Sequence, residues 1–87
     1  MKIEPVDQPG KYRTGKLNSR IHPEDIEKIL GFPANIDDDP DKVKYSWGFL
    51  ADGHQCGIWD YKDSRWSTYG PQTVFDQLFA HIPESLI

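Results

Sequence analysis

Apolar residues recur along this chain with two different periods, and each period predicts an element. From Val43 the alternation is strict: Val43, Tyr45, Trp47 and Phe49 fall on one side of a strand, and Lys44, Ser46, Gly48 and Leu50 on the other. Between Ile21 and Leu30 the period is helical, with Ile26, Ile29 and Leu30 on one stripe. Pro23 suits a first helical position, Glu24 and Asp25 the positive end of the dipole, and Gly31 the C-terminal cap, so a helix is predicted over about 22–30. Ile21 and Ile26 have the spacing of a hydrophobic staple. A second helix is predicted over about 71–82, with Val74, Phe75, Leu78, Phe79 and Ile82 on its apolar stripe and Pro83 as its stop.

Between the helices, Asp52-Gly53 signals a tight hairpin because both residues tolerate the positive φ of a type I′ turn. The predicted arms are 43–50 and 55–62. Counting outward pairs Phe49 with Cys56, Gly48 with Gly57, Trp47 with Ile58 and Tyr45 with Asp60. Val43, Tyr45, Trp47, Phe49, Cys56 and Ile58 then share the predicted core side, and Leu50, Trp59 and Tyr61 surround the glycine pair on the other. A short strand follows near 66–69. Residues 1–10, with Pro5, Pro9 and Gly10, read as an N-terminal tail or edge segment, and 11–87 as one domain. The expected fold is α+β: a small antiparallel sheet of three to four strands with two helices packed on one face.

Eighty-seven residues leave room for a single core, and with 13% aromatic residues that core must be built largely from rings. The single cysteine, Cys56, excludes an internal disulfide and multi-thiolate zinc sites, which points to a reducing compartment. No leader-like or membrane-spanning run stands out, so a soluble, cytoplasmic protein is expected, away from membranes. The formal charge of -4 is unevenly spread: residues 1–20 carry five Lys or Arg against Glu4 and Asp7, and the rest is strongly acidic. An acidic body disfavours direct nucleic-acid binding and favours a partner with a basic surface. The element order resembles that of double-stranded-RNA-binding domains, but no lysine cluster opens the last helix.

Candidate chemistry is sparse. Asp37, Asp39 and Asp41 have the alternate spacing that opens an EF-hand loop, but Lys42 stands where glycine is needed and Gly48 where the closing glutamate is needed. Asp37, Asp38, Asp39 and Asp41 are instead read as solvated loop acids able to occupy a basic groove, with Pro40 opening a single helical turn. Cys56 and His54 lie two apart, which is too little for thiol catalysis when the thiol faces the core. His22 reads as a helix cap, and His81 as a partner for a helix C-terminus. No catalytic residue, metal ligand or cofactor is assigned, and an enzyme is not expected.

The remaining signal is aromatic. Trp59, Tyr61, Trp66 and Tyr69 outnumber what three short strands can hide on one face, and Arg65 adjoins Trp66. Clustered Trp, Tyr and Arg often dominate binding energy, although a chain start that folded Tyr12 and Leu17 over the sheet would cap the same rings. The stretch from about His22 to Phe79, with its run "DDDPDKVKYSWGF…DG…CGIWDYK…WSTYGP…VF…LF", resembles small accessory proteins encoded by bacteriophages. The resemblance implies action by binding in a host cytoplasm, including inhibition of a host defence complex, and it assigns no role to any residue. The expected function is that of a non-catalytic protein-binding module using the aspartate loop and the ring cluster, with a homodimer compatible. The alternative is a small-ligand or nucleotide binder that stacks its ligand on the same rings, with Lys44 or Arg65 on the phosphate.

Overall fold

The computed structural model describes residues 1–8, 12–17, 21–37, 43–61 and 66–80, the side chains of Lys44 and Tyr61 excepted. In chain order the elements are β1 (Ile3–Pro5), β2 (Gly15–Leu17), α1 (Pro23–Leu30), β3 (Val43–Ala51), β4 (His54–Tyr61), β5 (Trp66–Tyr69) and α2 (Gln72–Leu78). The five strands form one antiparallel sheet in the order β1-β3-β4-β5-β2.

The hairpin forms as its turn residues dictate. Asp52 and Gly53 both take positive φ, 50° and 85°, and the ladder runs outward from Ala51 opposite His54. Phe49 opposes Cys56, Gly48 opposes Gly57 and Trp47 opposes Ile58. The regular ladder ends at Ser46 opposite Trp59, because the next pair is Val43 with Tyr61. Lys44 and Tyr45 together therefore oppose Asp60 alone, which is a β-bulge. The extra residue moves Val43 to the side of Ser46 and Trp59, so its expected place beside Trp47 is corrected. Val43 is buried there but lies outside the main core cluster.

One face of the sheet carries that core. Trp47, Phe49, Ala51, Cys56, Ile58, Trp66 and Leu17 pack against Ile21, Ile26 and Leu30 of the α1 region and against Val74, Phe75 and Phe79 at α2. The Trp47 and Trp66 rings meet edge-on at 5.8 Å, and the Phe49 and Phe75 rings at 6.4 Å. Helix α1 is capped by a reciprocal box in which the His22 N–H donates to the Asp25 carboxylate, and it ends at Gly31, whose N–H bonds the Glu27 carbonyl. Helix α2 begins one residue later than expected, with Pro71 as its cap, and is helical to Leu78; Ile82, expected on its stripe, lies outside the described residues.

The sheet has five strands rather than three or four because short runs at the chain's start pair with both of its edges. β1 lies on β3, and β2 on β5. Lys2 and Asp52 bind each other twice, tying the chain start to the hairpin turn. Beyond β1 the outer edge of β3 is completed by other means. The Val6 N–H donates to the Gly48 carbonyl, and the N–H groups of Asn35 and Ile36 donate to the Ser46 carbonyl. The Asn35 side-chain amide then takes the place of a strand, accepting from the Gly48 N–H at 2.9 Å and donating to the Gly48 carbonyl at 3.1 Å.

β1 and β2 lie at opposite edges of the sheet, and Gln8 and Tyr12, which fall between them in sequence, lie on the face away from the helices. A methyl group at Gly48 would overlap the Gln8 carbonyl oxygen and come within 2.8 Å of the Val6 carbonyl oxygen and 2.9 Å of the Ile36 side chain. Tyr12 meets Tyr69 of the same face edge-on at 5.2 Å. Glycine at position 48 is thus required by the closeness of a second backbone. Gly48→Ala should lower stability by about 1–3 kcal/mol, read from the midpoint of urea unfolding; an unchanged midpoint would mean that Val6–Gln8 do not cross there.

Candidate functional site

The residues expected to form the binding surface do not come together as one patch. Trp66 is corrected most clearly: it is 5% exposed, and its indole N–H donates to the Ile21 carbonyl at 2.7 Å. The cause is register. Trp66 opposes Asp60, so it shares the helix-facing side with Ile58. Trp59 and Tyr69 lie on the other face, both half-buried, with Tyr69 under Tyr12. The strand position of Tyr61 is defined, but its side chain lies outside the described residues, as do Arg65, Asp38, Asp39 and Asp41. Asp37 is described and exposed.

A different set of residues does converge, and sequence reasoning missed it. At the start of β3 the side that faces the helices is not fully covered. Tyr45 stands at that end. It is 42% exposed, and its ring stacks on Trp47 at 6.1 Å with the planes 21° apart. The bulge is held by the Tyr45 N–H donating to the Asp60 carboxylate at 2.8 Å. Above the rings, the first turns of α1 contribute Pro23, Glu24 and Glu27, and the segment after the helix contributes Pro33 and Ala34. Together they enclose a groove of about 490 Å³, within the range of ligand-binding clefts.

Two bonds fix the far wall of this groove. The Trp47 indole N–H donates to the Phe32 carbonyl at 3.0 Å, and Asn35 is clamped to Gly48, so Pro33 and Ala34 are held between two anchored residues. Glu24 and Glu27 stand three apart on the helix and form no ion pair with any described residue. Asp25, between them in sequence, is engaged in the cap. The groove therefore has an apolar, ring-based floor and two carboxylates on its rim. The spacing of Glu24 and Glu27 and the place of Tyr45 on the side of Trp47 were visible in the sequence; that the Tyr45 ring stays exposed beside the helix was not.

The thiol is placed for packing. Cys56 is fully buried between the rings of the core, its S–H donating to the His54 carbonyl at 3.4 Å. Burial pushes its pKa up to about 11, only partly offset by a backbone hydrogen bond at Ala51. Among the described residues no group of three His, Cys, Asp or Glu is placed to hold a metal ion, and no helix is long and apolar enough to cross a membrane. The chain matches no protein-family model, no curated protein and no solved structure, so geometry alone carries the functional reading.

Two measurements test these placements. Trp66→Phe leaves the Ile21 carbonyl without its donor and should cost about 1–3 kcal/mol in urea unfolding, while Trp59→Phe should cost less than about 1 kcal/mol. Cys56 should alkylate slowly in the native protein at about pH 8 and quickly once unfolded. Because its folded pKa lies above the unfolded one, the unfolded chain loses its proton first as pH rises. Stability should thus be unaffected by this thiol below about pH 9 and decline from there towards pH 11; rapid alkylation of the folded protein would overturn the placement.

Proposed function

We propose that the protein is a non-catalytic binding module that docks on a basic surface of another protein. The observation that carries this reading is the exposed Tyr45 ring stacked on Trp47 beside the carboxylates of Glu24 and Glu27, which form no ion pair with any described residue. Charge supports it: outside the first twenty residues the chain is strongly acidic, which steers a basic partner in solution. Rings that become desolvated on contact slow release, so the two features act on different steps of binding. Steric occupation of the partner's basic site would make the module an inhibitor, the role that a phage accessory protein acting on a host defence complex would fill.

The alternative, a nucleotide stacked on the rings, is opposed by the same geometry. Two carboxylates on the rim repel a phosphate. The experiment is affinity recovery from native cytoplasm at low and high salt. A basic protein should be recovered at low salt and released at high salt, and Tyr45→Ala should abolish its recovery. Recovery that ignores both salt and Tyr45→Ala, or thermal stabilisation by a nucleotide with no protein recovered, would overturn the reading.

A further inference from the structure

The groove between α1 and β3 also specifies what part of such a partner enters it. Its rim is anionic through Glu24 and Glu27, its floor is the stacked pair Tyr45 and Trp47, and its walls include Pro23 and Pro33. A phosphate or carboxylate is repelled by the rim, and a purely apolar side chain would strip water from two carboxylates without pairing them. A cation on an apolar stem meets both needs. Its methylenes lie along the proline walls while its charge reaches the rim and the face of the tyrosine ring.

Between the two cationic side chains, the rings decide. A guanidinium is planar and weakly hydrated; it stacks on an aromatic face and can pair a carboxylate through two parallel N–H groups at once. An ammonium is a strongly hydrated point charge that gains less from a flat ring. Resting on the reading of the protein as a module for a basic partner, we propose that this groove is an arginine receptor: it admits one arginine side chain from an exposed segment of the partner, stacked on Tyr45 and paired with Glu24 or Glu27. The groove's volume exceeds that of one side chain, which leaves room for the flanking backbone of an extended segment.

The test uses a capped heptapeptide with one central arginine in a Gly/Ser background, titrated into the isotope-labelled full chain and followed by NMR. Shifts should concentrate on Tyr45 and on the amides of Glu24 to Glu27. Replacing the arginine by citrulline, which keeps the shape and loses the charge, should weaken binding by about tenfold, and lysine should fall between the two. Tyr45→Leu and the double variant Glu24→Gln/Glu27→Gln should each produce a comparable loss, with unchanged thermal unfolding showing that both remain folded. Equal binding of the arginine and citrulline peptides, or shifts centred on Trp59 and Tyr69, would overturn the arginine receptor. Salt-sensitive recovery of a basic protein, lost in Tyr45→Ala, would still stand if the two peptides bound equally, because it needs an exposed ring beside acids and not an arginine in particular.

Discussion

The positive φ angles at Asp52 and Gly53 govern the rest of the molecule. A two-residue reversal leaves one way to pair the arms, and a slip of one position would turn every side chain to the opposite face. With the reversal in place, Trp47, Phe49, Cys56 and Ile58 face the helices together, and Gly48 and Gly57 fall opposite each other on the far side. That glycine pair leaves a shallow place in the second face. Into it comes the chain's own start, whose Val6 and Gln8 carbonyls lie where a side chain at position 48 would be. One turn thus determines both what is buried under the helices and where the first residues can lie.

The parts of this fold that were legible in the sequence are those where a local signal fixes geometry. Pro23, Glu24, Asp25 and Gly31 place α1 to within a residue, and Asp52-Gly53 gives the hairpin register as far as Ser46 and Trp59. The illegible parts depend on contacts between distant segments. The strands β1 and β2 have three residues each, too few to show a period, and exist because two sheet edges need hydrogen-bond partners. Trp66 could not be assigned a face because no turn residue sets its offset against β4. The bulge at Lys44 and Tyr45 has no local signature, yet it moves Val43 across the sheet and turns the Tyr45 N–H to the Asp60 carboxylate.

The density of rings between Tyr45 and Tyr69 consequently serves two purposes. Trp47 and Trp66 are core residues whose indole N–H groups find backbone carbonyls at Phe32 and Ile21, so burying them leaves no donor unsatisfied. Those same bonds hold the segments before and after α1 against the sheet. The helix is therefore anchored at both ends through tryptophans rather than through its own short apolar stripe, which has only Ile26 and Leu30 fully buried.

That anchoring is what gives the exposed tyrosine a fixed setting. A ring on a mobile loop loses conformational freedom when a partner arrives, and the loss subtracts from affinity. Tyr45 is held on both sides: its backbone N–H is bonded to Asp60, and its ring lies on a tryptophan that is itself bonded to Phe32. The carboxylates of Glu24 and Glu27 are carried by a helix capped at both termini, so their distance from the ring is set by backbone and not by long flexible side chains alone. On the second face, by contrast, Tyr69 is met by Tyr12 and Gly48 by Val6 and Gln8, so a partner would first have to displace part of the protein. The side that the helices leave partly open is the one where binding requires the least rearrangement, and it is also the side where acid and ring occur together.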